Sequence, residues 1–279
     1  MSSLYTLGGV RLQIRPIARN EDTPDEAPPD VMLRVHYRRP EIRSLPPVFS
    51  HSGWWSIYRS QDRYLFHIHQ RVSTQEPDRL LIIGPEFREG DLYICPEGDH
   101  KIDPLAHPLD KMLLTSYLSR RQGFTVHATG IVVDGWAFLF LGGEGAGKST
   151  LARLWSAEQD AFVLADDRVV VRLEGDQFIA TGTPWYFSSP LSSLVSAPLA
   201  RLYILRHGPL NRETPIPSGP ELAARIYSHT HPPYWLEEAL PSHLDLCAKL
   251  AMSVPCSVLD FVPDPSVIQY VRAGWHVLL

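Results

Sequence analysis

Apolar and polar residues alternate through much of the first hundred positions, and the rhythm then changes. Val10, Leu12 and Ile14 are separated by single polar residues, and Met32, Leu33, Val35 and Tyr37 follow the same period less cleanly. A period of two puts apolar side chains on one face of a pleated chain, so each run predicts a half-buried β-strand. Residues 56–59 and 64–69 flank the polar Ser60-Gln61-Asp62 and predict a hairpin. Residues 80–83 and 92–95 are short apolar runs closed by Gly84-Pro85 and Pro96-Glu97-Gly98-Asp99, again strands ended by turns. The stretch 19–30, RNEDTPDEAPPD, has almost nothing to bury and predicts an exposed loop.

Leu109, Met112, Leu113, Ser116, Tyr117 and Arg120 switch to the i, i+3, i+4 spacing of a helix, with Gly123 as its stop. Strands at 124–133 and 136–141 then surround Asp134-Gly135, a strong hairpin dipeptide. A helix is expected from 148 or 149 to about 158. Strands follow at 162–165, 169–173, 178–180 and 201–205, helices at 220–227 and 237–252, and a last strand at 257–261. This order predicts a β-rich N-terminal region over 1–103, suited to substrate recognition, and an α/β catalytic domain over 104–279.

Composition narrows the class. The 279 residues are 44% hydrophobic and 20% charged, as in a globular chain. Twenty-six Lys plus Arg against 31 Asp plus Glu leave a net charge of −5, which argues against nucleic acid as a partner. Cys95, Cys247 and Cys256 form no CxxC pair, so neither a disulfide framework nor a cysteine zinc site is expected. No basic head precedes a long apolar core, and no run of 18 apolar residues occurs, so the expectation is a cytoplasmic protein without a membrane partner.

The candidate chemistry begins at Gly142-Gly143-Glu144-Gly145-Ala146-Gly147-Lys148-Ser149-Thr150, which satisfies G-x-x-x-x-G-K-[ST] between an apolar strand and a helix. Glycines let successive N–H groups turn toward phosphate oxygens, and the following helix presents its positive end to them. Lys148 can span β- and γ-phosphates, and the Ser149 hydroxyl can ligate Mg²⁺. Asp166 and Asp167 end an apolar strand 18 and 19 positions beyond Lys148, close enough in the chain to return to that loop. One carboxylate can hold Mg²⁺ while the other accepts a proton from an incoming hydroxyl. His127 lies on the strand before the loop, where it can reach the γ-phosphate or simply be a packed strand residue.

His127-Ala128-Thr129-Gly130, the run from Ile131 through Lys148-Ser149-Thr150, and Leu164-Ala165-Asp166-Asp167 together resemble the HPr kinase/phosphorylase group. That group's relatives share the phosphoenolpyruvate-carboxykinase-like P-loop fold and include the lasso-peptide kinases. The resemblance covers about residues 124–206. It implies a mixed-sheet P-loop kinase core, ATP and Mg²⁺ as cofactors, and transfer of the γ-phosphate to a serine of a protein or peptide. It assigns catalysis to His127, Lys148 and Asp167, and the metal to Ser149 and Asp166; the sequence leaves the reverse division of the two acids open. A homo-oligomer is also implied. Thr150 stands where the group typically has a glutamate, and the group's later Gly-Arg-Asn run is absent, Leu210-Asn211-Arg212 being nearest. Those departures leave HPr itself and a phosphorylase back-reaction outside the expectation. Two other readings stay open: a kinase of the same fold acting on a small metabolite such as a sugar, and a catalytically silent nucleotide-binding regulatory module.

Weaker candidates remain. Arg206 or Arg212 could supply a transition-state cation or be surface arginines. Trp185, in Gly182-Thr183-Pro184-Trp185, could pack on a substrate or pin a loop. His229 and His231, followed by Tyr234 and Trp235, could bind metal or form a lid, with a structural loop the better reading. His67 and His69 are expected to share one solvent-facing edge.

Overall fold

The computed structural model describes residues 3–16, 28–41, 45–69, 77–95, 103–185 and 195–275. These residues form a mixed α/β chain with two mixed sheets. The chain divides into two units, Met1–Arg120 with Pro233–Glu238, and Arg121–Pro232 with Ala239–Leu279. Among the described residues, no helix is long and apolar enough to cross a membrane.

The first unit is built on an eight-stranded sheet. Its strands are β1 (Ser3–Leu7), β2 (Val10–Pro16), β3 (Val31–His36), β4 (Pro47–His51), β5 (Trp55–Ser60), β6 (Arg63–Ile68), β7 (Arg79–Ile83) and β8 (Glu89–Ile94), in the order β1-β2-β3-β8-β7-β6-β5-β4. The alternation of Val10, Leu12 and Ile14 does put all three in the core, and β5 pairs β6 as the expected hairpin. Tyr37 falls outside β3 and is 71% exposed, because the chain turns after His36. Residues 17–27, which hold most of the expected loop, and the expected turn at 96–99 lie outside the described residues. His67 is not on a solvent-facing edge: β6 is an interior strand, the ring packs on Tyr58, and burial pulls the imidazole down to about 4. Helix α1 (Leu109–Ser119) buries Leu109, Leu113 and Leu118 completely. Trp235 donates its Nε1–H to Ser116 Oγ on that helix and meets Trp55 edge-on.

The second unit contains β9 (Gly123–Val133), β10 (Trp136–Leu141), α2 (Lys148–Trp155), β11 (Ala161–Ala165), β12 (Arg168–Glu174), β13 (Gln177–Thr181), β14 (Ser196–His207), β15 (Arg212–Ile216), α3 (Pro220–Tyr227), α4 (Leu240–Ser253), β16 (Cys256–Phe261) and α5 (Ser266–Trp275). Strands β10, β14 and β16 run parallel, whereas β9, β11 and β15 pair antiparallel to their neighbours. One apolar layer joins Ile131, Val133 and Phe140 to Leu151 and Trp155 of α2 and Val267 and Val271 of α5. The opposite layer joins Val126, Ala128 and Val132 to Leu222 and Ile226 of α3 and Leu246 and Leu250 of α4. Alternate residues of β9 therefore serve opposite faces of the sheet. Several expected elements differ in extent. Helix α2 stops at Trp155, β14 spans 12 residues instead of five, and a short 3₁₀ turn (Glu237–Ala239) precedes α4. Strand β15 and helix α5 have no counterpart among the elements that the sequence pattern predicts.

Candidate active site

Strand β9 organises the site. At its C-terminal half it pairs β10 (Ala128↔Leu141 to Val133↔Trp136) and β11 (Gly130↔Ala165 to Val133↔Ala161). At its N-terminal half it pairs β12 (Gly123↔Arg172 to His127↔Arg168). Asp166 and Asp167 are the corner between β11 and β12, with Ala128 N–H donating to Asp167 O at 3.2 Å. The loop after β10 also departs beside residues 127 and 128. Loop, His127 and acid pair thus meet around three consecutive positions of one strand. Gly130 permits this, since a Cβ there would lie 2.9 Å from Val169 Cγ2 and 3.1 Å from Leu164 Cβ.

The loop Gly142–Gly147 connects the end of β10 to the first residue of α2. Gly145 and Gly147 have φ of +75° and +94°, a region that favours glycine. A Cβ on Gly147 would collide with Phe261 Cζ, so only glycine lets the loop lie this close to the end of β16. Gly143, Glu144 and Gly145 are exposed, and nothing stands within 4 Å of a Cβ built on Gly143 or Gly145. His207, at the end of β14, approaches Gly145 O through Nε2 at 3.0 Å and stacks on Phe261. The loop therefore lies at the carboxyl ends of the parallel strands β10, β14 and β16, where open α/β sheets take their ligands.

Lys148 is buried, and its Nζ donates to Gly142 O at 2.7 Å and Gly143 O at 2.8 Å. Burial pulls this ammonium below the ordinary lysine range, while Asp167 and Glu144 act in the opposite direction. Thr129 Oγ1 donates to Lys148 O at 3.1 Å, tying β9 to the first turn of α2. Since residues 127 and 129 share a face of β9, His127 lies on the α2 side of the sheet. Its Nδ1 is 2.9 Å from Asp167 Oδ1, and Arg168 Nε is 3.5 Å from Asp167 Oδ2. A carboxylate only accepts, so Nδ1 carries the proton in this pair. Asp166 is 4% exposed, and Ser149 and Thr150 are half-buried in the first turn of α2.

No family model matches this chain. No curated protein matches it either. Among solved structures it is similar to the HPr(Ser) kinase/phosphatase from Coxiella burnetii, at 15% identity over 55% of this chain and 98% of that one, with a TM-score of 0.30. A TM-score of that size carries no argument about function, so the chemistry has to come from the chain's own residues.

The weaker candidates are distributed as follows. Arg206 and Arg212 both pair with Asp260 of β16. Thr183 Oγ1 donates to Arg168 O at 2.6 Å, which pins the segment before Trp185 to the start of β12. His229 and His231 do not converge on a metal cluster: among the described residues there is no group of three or more His, Cys, Asp and Glu able to hold one. Instead the segment bridges β9 at Val126↔Thr230, with His127 N–H donating to His229 O at 2.7 Å. Two residues of the site, Thr129 and His207, are not singled out by sequence reasoning. The alternation of β9 carries a signal for Thr129, two residues from His127, but nothing in the sequence joins His207 to a loop 62 positions earlier.

Proposed function

We propose that this chain is an ATP- and Mg²⁺-dependent phosphotransferase that moves the γ-phosphate to a hydroxyl, most plainly a serine of a protein or peptide. One observation carries the reading: a glycine-rich strand-to-helix loop with a buried lysine shares one face of β9 with a histidine–aspartate pair. The loop fits phosphate, because the space over Gly143 and Gly145 is open and the first turn of α2 begins directly behind it. The residues also fit Mg²⁺, a cation that prefers a few hard oxygens and leaves other positions to phosphate and water. Ser149 and Asp166 would hold it, and it would supply neutralisation of phosphate charge.

Each residue then has a defined task. Loop amides and Lys148 bind and orient the phosphates, which requires Lys148 to exchange its two loop carbonyls for phosphate oxygens. Asp167 and His127 act together on the acceptor hydroxyl. Their 2.9 Å contact lets charge arriving on one be stabilised by the other, so the pair takes up the proton as a unit. Arg168 Nε lies 3.5 Å from the second carboxylate oxygen and sets a cation beside the pair.

The test is calorimetric titration with ATP, with and without Mg²⁺, followed by transfer of labelled γ-phosphate to serine peptides. Asp167→Asn is expected to bind ATP normally and to lose transfer by about 10²-fold or more. Undiminished transfer would remove Asp167 from the reaction, and absence of ATP binding would remove the whole reading. ADP release with small hydroxyl compounds but not with peptides would favour the metabolite kinase, and binding without turnover the regulatory module.

A further inference from the structure

The His127 side chain pairs with Asp167 through Nδ1, and about a third of it is exposed. That hydrogen bond engages one edge of the ring and leaves its other edge to be set by what packs beside it. A second constraint comes from His231. Its ring lies 6.4 Å from that of His127 with the planes at 86°, an edge-to-face arrangement. We propose that His231 is a positioning residue: an imidazole wall, stitched to β9, that holds the His127 ring in the orientation facing Asp167.

The wall is itself held firmly. His231 N–H donates to Thr125 O at 3.0 Å, and Nδ1 lies 3.3 Å from both Thr125 O and Thr125 Oγ1. Two residues away, His127 N–H donates to His229 O, so the backbones of the two histidines are locked in register. Between them, Thr230 Oγ1 meets the buried His243 Nε2 at 2.7 Å. Because Ala128 N–H is taken by Asp167 O and His127 N–H by His229 O, the acid corner and the histidine segment grip β9 from opposite edges.

The charge state suits the task. Burial pulls His231 down to about 4, and Arg168 and His127 add to that effect, while Thr125 O and Asp167 oppose it. Among the described residues, these groups come from β9, from the β11–β12 corner and from the first residue of β12. A neutral His231 confines His127 without competing for the Asp167 carboxylate. A cation at the same place would compete, and would stand against Arg168.

The experiment compares His231→Ala, which removes the wall, with His231→Phe, which keeps a planar ring and leaves Thr125 O bonded to the backbone N–H. Imidazole ¹⁵N shifts of His127 report its tautomer without any reaction. The wild type and His231→Phe are expected to show one tautomer with Nδ1 protonated, and His231→Ala a mixture. Phosphate transfer, which rests on the function proposed above, is expected to drop about 10²-fold in kcat for His231→Ala with KM for ATP unchanged, and to recover in His231→Phe. Should His231→Ala fail to fold, His231→Gln serves the same comparison. A His127 tautomer unchanged by loss of the ring overturns the proposal. So does a His231→Phe variant as impaired as His231→Ala. If the wild type transfers no phosphate, the nitrogen shifts still decide it.

Discussion

At the scale of single residues, the second unit depends on polar groups that folding removes from water. His243 is 5% exposed, packed between Phe124 and Tyr227, and meets Thr230 Oγ1 through Nε2. Burial pulls its pKa from 6.5 to about 4. The unfolded chain therefore binds a proton that the folded chain rejects between those two values. Stability from this group is complete above about 6.5 and is lost as pH falls toward 4. Replacing it by an uncharged ring tests the sign. His243→Phe is expected to flatten the acid limb of stability by up to about 1.4 kcal/mol per pH unit, read from denaturant midpoints between about pH 7 and 4. Thr230 keeps a partner in that variant, because its hydroxyl also donates to Tyr227 O. Lys148 carries the same physics at the loop, where burial lowers the pKa of a cation that two glycine carbonyls hold in place.

At the scale of elements, β9 brings the candidate residues together. Its 11 residues span two partners on one side, and the change of partner creates the Asp166–Asp167 corner. Gly130 is a tight point of this strand, with Val169, Leu164 and Leu139 all within 3.2 Å of a built Cβ. Overpacking a closed core costs about 1–3 kcal/mol. Gly130→Val is expected to lower the thermal midpoint accordingly, and to release the corner so that ATP-dependent transfer falls more than ATP affinity does. Equal losses in both would show the corner to be unaffected. The hairpin 124–133/136–141 is legible because Asp134-Gly135 and two apolar runs all point the same way. Strand β15 is not, since Arg-Glu-Thr-Pro-Ile lacks an apolar face and is a strand only because β16 offers an edge. The sequence pattern makes helix α2 three residues too long: Glu158 and Asp160 continue a polar surface, but β11 must start at Ala161 to meet Val133.

At the scale of the whole molecule, the chain visits the first unit twice. Pro233–Glu238 belongs to it although the residues on either side belong to the second. Glu238 accepts from Tyr64 Oη and from Arg120 Nη2, both at 2.7 Å. Burial raises its pKa, but these hydrogen bonds outweigh that and bring it down to about 2. Glu238→Ala is expected to speed amide exchange in β6 and α1 while leaving β9 and β12 unchanged; uniform protection in β6 and α1 would count against this anchoring role. From the sequence alone came the β-rich first region, the strand–glycine loop–helix around Gly142–Gly147, and the choice of Lys148, Asp166, Asp167 and His127 as candidates. These are local: period, turn residues and short spacings are properties of neighbouring positions. What tertiary structure alone decided is that His127 and Asp167 are 2.9 Å apart, that His207 and Phe261 close on the loop, and that His231 stands against His127. Those contacts join residues about 40 to more than 100 positions apart. Their formation depends on which strands pair and in which register, an outcome set by packing of the whole sheet and its helices and carried by no single window of the chain.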